Sequence, residues 1–239
     1  MKKNWKHQAE LALISLSAPH VVTIQDLQSY AMLNAEMRPS ASAITRWVRL
    51  LSETGKLQQV TRGVYLNRLA GPSVHPAEAS QYIRRGAVVS LAWVLERSGA
   101  LNNFGDTVTC VVPLSSDFAS PQVGPRKTVA GQFRFYAIPL TILGAGRENI
   151  EDVQDLNVAY PRATPERALL DWIYLGASVR SRLGMPPLDI QMHDMNPPRL
   201  KRLASAMGIT RSWTEWHARW KIYQSAEDVG QNASTALGF

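Results

Sequence analysis

Residues 39–67, from Pro39 to Asn67, read PSASAITRWVRLLSETGKLQQVTRGVYLN. Ile44, Trp47, Val48 and Leu51 fall at i, i+3, i+4 and i+7, the spacing of one apolar face on a helix. Ser42, Arg46 and Arg49 fall on the opposite face, with Thr45 at its flank. Gly55 then supplies a left-handed helix stop. Leu57–Thr61 and Val64–Asn67 are short strand-like runs, and Arg62-Gly63 between them is a hairpin signal. The stretch therefore predicts a helix with a polar, basic outer face, followed by a two-stranded ribbon with an arginine at its tip.

Two helices are expected ahead of it. The first covers residues 5–17, with Trp5, Ala9, Ala12, Leu13 and Leu16 on one side, Leu11, Ile14 and Ala18 continuing an apolar stripe, and Pro19 as its end. The second covers residues 24–33, capped by Thr23 with Asp26 in its first turn. Residues 34–38 form the turn into the third. Three helices and a ribbon in about 70 residues are the order of a winged helix-turn-helix, whose last helix enters the major groove while the ribbon lies along the backbone or minor groove. Residues 1–70 hold nine Lys or Arg against four Asp or Glu, a charge of +5 out of the chain's +7. With a pI near 9.8, this favours a polyanionic partner. Arg46 and Arg49 are candidates to read guanine or to neutralise phosphates, and Ser42 and Thr45 to bond either. Arg62 at the ribbon tip is the next candidate; Lys56 and Arg68, flanking the ribbon, are weaker phosphate candidates. Any exposed helix carries arginines and any hairpin turn can carry a charge, so the ordered context rather than the residues alone favours DNA.

The chain of 239 residues is 45% hydrophobic with seven tryptophans, enough for one large domain or two modest ones. Residues 70–76 read as a linker between a DNA-binding domain over 1–70 and a larger domain over 77–239. In the second domain, helices are expected near 77–85 and over 90–97, the latter capped by Ser90, facing Leu91, Val94 and Leu95 inward and stopped by Gly99. Strands are expected over 107–113, 127–130, 133–138 and 156–160, with a surface loop at 115–126. Thr164-Pro165-Glu166 opens a helix whose buried side is Ala168, Leu169, Trp172, Ile173 and Leu175 and which Gly176 closes. Two more follow: 198–207, stopped by Gly208, and 213–224, opened by a capping box of Ser212 and Glu215; the tail from 225 frays. The fold class expected is α+β, an N-terminal winged helix-turn-helix followed by helices on a small β-sheet.

Little else signals chemistry. Cys110 is the only cysteine, lies in a buried-strand pattern and reads as core. The histidines at 7, 20, 75, 193 and 217 show no metal spacing. His193-Asp194 is an acid–base pair by composition only. The glycines form neither a GxGxxG nor a P-loop pattern. Glu148, Glu151, Asp152 and Asp155 cluster but read as an exposed loop or short helix, and no Glu-x-Lys or Asp-x-Lys of a nuclease core occurs. No catalytic, cofactor or metal-binding residue is assigned, and the chain reads as a non-enzyme. Arg180, Arg182, Arg199, Lys201, Arg202, Arg211, Arg219 and Lys221 read as solvated helix faces rather than a second DNA surface, and Trp213, Trp216, Trp220 and Tyr223 as a core stripe. No apolar run spans a bilayer, and the basic, apolar N-terminus, interrupted by His7, Gln8 and Glu10, reads as an amphipathic helix of a cytoplasmic protein.

Three stretches together resemble the AbiEi family of antitoxin-regulators from type IV toxin–antitoxin systems. They are Ser42–Leu51 running through Gly55 to Arg62-Gly63-Val64-Tyr65, then Val89–Leu95 leading to Gly99-Ala100-Leu101, then Ala163–Asp171. The resemblance runs to about Leu175. It implies a repressor of its own operon that binds inverted repeats in duplex DNA, through Ser42, Thr45, Arg46, Arg49 and Arg62 here. It further implies antitoxin activity located after Pro76, countering a nucleotidyltransferase-like toxin without direct binding. Two other readings stay open: a nucleic-acid enzyme targeted by the winged helix, and a protein-interaction module with the Trp-rich C-terminal helix as its interface.

Overall fold

The computed structural model describes residues 5–15, 17–33, 38–71, 74–102, 105–114, 123–155 and 158–236. The chain is mixed α+β, with nine α-helices and two sheets among those residues. The order is α1 (Trp5–Ile14), β1 (Val21–Thr23), α2 (Ile24–Ala31), α3 (Ala41–Glu53), β2 (Leu57–Thr61), β3 (Val64–Asn67), α4 (Ser80–Ile83), β4 (Val88–Val89), α5 (Ala92–Arg97), β5 (Thr107–Leu114), β6 (Gly124–Thr128), β7 (Gly131–Pro139), α6 (Leu140–Gly144), β8 (Ile150–Asp155), β9 (Val158–Ala163), α7 (Pro165–Ala177), α8 (Pro197–Ala206) and α9 (Thr210–Ala236). No helix among the described residues is long and apolar enough to cross a membrane.

The N-terminal elements close a small core of their own. Ile44, Trp47, Val48 and Leu51 of α3 are buried against Ala9 and Leu13 of α1, Leu27 and Ala31 of α2, and Leu57 of β2. Thr23 caps α2 in a full capping box, its hydroxyl accepting from Asp26 N while Asp26 accepts from Thr23 N. Ser40 caps α3, and Gly55 just past its end has φ +71°. The hairpin β2–β3 has its predicted boundaries. A third strand, β1, pairs antiparallel with β3 and was not expected, because three residues give no alternation to read. Asn67, fully buried, fastens the ribbon's far end by donating to the carbonyls of Leu13 and Pro19. Leu11 and Ile14 are about half exposed, so the stripe they form faces outward rather than into this core. The turn over residues 34–37, Leu16 and most of the 115–126 loop lie outside the described residues.

The larger core surrounds a six-stranded mixed sheet of order β6-β7-β5-β4-β9-β8. β5 runs parallel to β7 and β4 to β9; the other pairs are antiparallel. The described part of the stretch expected as a linker is tied to the fold at Val74. Val74 is buried and its carbonyl accepts from Arg68 Nη1, and Glu78 reaches back to His20 at 2.9 Å. Val60 and Leu66 of the hairpin pack into the larger core.

Several expectations are corrected. Ser90 does not cap α5; its hydroxyl donates to Asp171, and the turn into α5 is made by Leu91 at φ 62°. The acids from Glu148 to Asp155 lie mostly in β8, an edge strand paired with β9, because cross-strand pairing overrides their low strand propensity. Gly176 lies inside α7, where a side chain would collide with Met185 Cα at 2.8 Å, so its role is close approach rather than termination. α9 begins at Thr210, two residues before the expected Ser212 cap, and its backbone stays helical through the stretch read as frayed.

Candidate nucleic-acid interface

Burial of one side of α3 fixes what the other side presents. Ser42, Thr45, Arg46 and Arg49 are all exposed, and at 3.6 residues per turn they share a face. The Thr45 hydroxyl donates to the Ala41 carbonyl at 2.9 Å, which leaves its oxygen open as an acceptor. Ser42 Oγ lies 3.0 Å from Ser40 Oγ at the helix start. Arg49 Nε donates to Glu53 Oε1 at 2.7 Å, but the side chains are 79% and 56% exposed. A pair so solvated holds its arginine weakly and yields to a stronger anion. Arg46 and Arg62 are exposed and form no salt bridge among the described residues. Arg62 stands at the ribbon tip, and the Gly63 carbonyl beside it accepts from Ile24 N at 2.8 Å, tying the tip to the start of α2.

The two remaining candidates are engaged within the fold. Lys56 Nζ lies 3.2 Å from Glu10 Oε2 and fastens the start of the ribbon to α1. Arg68 donates to Gln58 Oε1 at 2.9 Å and to the Val74 carbonyl, bracing the ribbon's base. The structure thus groups Ser42, Thr45, Arg46 and Arg49 on one surface and engages Lys56 and Arg68 in contacts within the fold. It also adds basic residues that the sequence does not group with them. Arg38, just before α3, is exposed. β6 comes against β2, so its exposed Arg126 and Lys127 belong to the sheet edge beside the ribbon. Burial, then Arg126, lowers the Arg84 pKa.

Cys110 is wholly buried, and burial pushes its thiol far up, away from thiolate chemistry. His193 and Asp194 lie 2.9 Å apart and are 68% and 81% exposed; His193 lines a groove with Trp213, His217 and Trp220. No group of three His, Cys, Asp or Glu among the described residues is arranged to hold a metal ion. In the C-terminal helices Lys201, Arg202, Arg211, Arg219 and Lys221 are exposed, whereas Arg199 is half-buried 4.0 Å from Glu166. Trp213 and Trp216 are buried, and Trp216 donates to the Pro186 carbonyl at 2.9 Å.

No protein-family model matches the chain, and no curated protein matches it.

Proposed function

We propose that residues 1–70 are a winged helix-turn-helix domain that binds duplex DNA and that the protein is a sequence-specific repressor. One observation carries this reading. α3 buries its apolar face completely, and its opposite face, bearing Ser42, Thr45, Arg46 and Arg49, is covered by nothing among the described residues. A helix with that face enters a major groove about 12 Å wide. In this reading Arg46 and Arg49 meet base edges or phosphates, and Arg62 grips backbone beside them. Repression is steric: a bound domain blocks access to the promoter.

The resemblance to AbiEi proteins extends the proposal. The operator is then an inverted repeat upstream of the protein's own operon, and residues 77–239 act as a type IV antitoxin in the cytoplasm against a nucleotidyltransferase-like toxin, with no enzymatic activity of their own. The DNA-binding part is tested by titrating the purified chain against its upstream region and a scrambled duplex at two salt concentrations. Binding confined to the upstream region, weakening steeply with salt, is the expected result. Equal, salt-erased binding to both duplexes would refute sequence-specific repression. The antitoxin part is tested separately, by asking whether residues 77–239 rescue growth when the neighbouring toxin gene is induced.

A further inference from the structure

A cavity of about 360 Å³ opens between α5, the β8–β9 pair and the turn at His75. Trp93 of α5 forms part of its wall. The Arg97 guanidinium lies 4.1 Å from the Trp93 ring centroid, and the His75 ring lies 4.6 Å from it. From β9 come Tyr160 and Arg162, two positions apart on the strand and both in the lining. The acid in the lining is Glu151, which meets Arg162 at 3.4 Å and is itself 53% exposed.

The lining is unbalanced toward donors. Arg97 and Arg162, both solvent-accessible, bring two permanent positive charges against the one carboxylate in the lining. Burial chiefly raises the Tyr160 pKa, so its phenol stays protonated and able to donate. His75 Nδ1 accepts from Ala77 N at 3.2 Å, which places the ring proton on Nε2 as a further donor. Burial, then Arg97 and Arg68, lowers the His75 pKa to about 4, so the ring is neutral at pH 7 and its surroundings are electropositive.

We propose that this cavity binds a small organic anion bearing a phosphate or carboxylate group, gripped by Arg97 and Arg162 and oriented by Tyr160 and His75. The volume is near the lower end of ligand pockets, roughly 300–1,000 Å³, which limits the ligand to metabolite size. Guanidinium is the group best matched to both anions, because its planar fork makes two parallel hydrogen bonds to either. The site is separate from the α3 face, and the proposal does not depend on DNA binding.

Calorimetric titration of the full chain with pyrophosphate and with citrate, at constant ionic strength, tests it. One-site binding of at least one probe is expected, weakened about tenfold in Arg97→Gln and in Arg162→Gln and unchanged in Arg202→Gln, whose side chain is exposed on α8. Tyr160→Phe, which keeps the ring and its packing, should weaken binding about threefold and covers the case in which an arginine variant melts early. No saturable heat at millimolar probe, or equal loss in Arg202→Gln, overturns the proposal. Displacement of the probe by a short duplex of any sequence also overturns it, since the anion recognised would then be a nucleic-acid backbone phosphate.

Discussion

Asp171→Asn should be among the most damaging single changes in the larger core. Arg167 and Asp171 are both fully buried, and Arg167 Nε donates to Asp171 Oδ1 at 2.8 Å. The rest of the guanidinium is used as well: Nη1 donates to the Ala145 carbonyl at 2.6 Å and Nη2 to the Ile142 carbonyl at 3.1 Å, closing the end of α6. Asp171 Oδ2 accepts from the Ser90 hydroxyl at 2.8 Å, which joins α7 to the start of α5. Burial raises the Asp171 pKa even against the guanidinium beside it, so desolvation outweighs the attraction at this carboxyl and the intact pair adds little net stability. Removing one charge is different, because arginine cannot shed its proton. The asparagine variant leaves a buried guanidinium uncompensated, at about 3–5 kcal/mol. For a chain of this size, at about 2–4 °C per kcal/mol, the midpoint should fall by about 6–20 °C.

Urea denaturation at pH 7, followed by circular dichroism, measures the loss directly. Arg167→Met supplies a control of opposite sign. There the stranded group is Asp171, whose folded pKa is raised above its unfolded value. Its contribution to stability is then full below the unfolded value and is lost as pH rises through the folded one. Arg167→Met should therefore recover stability relative to the parent as the pH is lowered from 7, and Asp171→Asn should not. An unfolding free energy for Asp171→Asn within about 1 kcal/mol of the parent would refute the reasoning. So would the same pH dependence in both variants.

Gly176→Ala should destabilise by about 1–3 kcal/mol despite the better helix propensity of alanine, because the new methyl meets Met185 and the Gly184 carbonyl at 2.8–3.0 Å; a gain in melting temperature would contradict that close approach. His75 has a folded pKa lowered from 6.5 to about 4, so the stability it contributes is present above pH 6.5 and is lost as pH falls toward 4. Solvent screening at this half-buried ring limits the effect to about 1–2 kcal/mol, and His75→Asn, which can keep the cap on Ala77 N, should flatten that part of the stability–pH curve. Arg46→Ala should weaken operator binding by about 1–3 kcal/mol and leave stability unchanged, with relaxed specificity if the side chain reads a base. Arg68→Ala should do the reverse, lowering stability by about 1–2 kcal/mol through the lost bonds to Gln58 and Val74 while sparing sequence preference; equal effects of the two variants on binding and melting would erase the distinction between them.

The N-terminal elements were legible in the sequence because each is specified within its own neighbourhood. α3 follows from an apolar repeat at helical spacing, its start from Ser40, and the ribbon from two runs broken by Arg62-Gly63. The outward face bearing Ser42, Thr45, Arg46 and Arg49 is legible for the same reason, since a helix that buries Ile44, Trp47, Val48 and Leu51 has only one other side. Pairing between distant segments was not legible. β1 exists because β3 lies beside it, and β8 is a strand because β9 pairs with it, although its acids favour neither strand nor core. Likewise nothing local distinguishes Arg68 from Arg46, or Ser90 as a cap from Ser90 as a partner of Asp171 81 residues away. The anion cavity is of the same kind: His75, Trp93, Arg97, Tyr160 and Arg162 meet only after α5, β9 and the turn before α4 have packed. Local periodicity and capping decide which segments are helices and which faces are apolar. Which polar groups are removed from water, and therefore which must be paired, is decided only by tertiary packing.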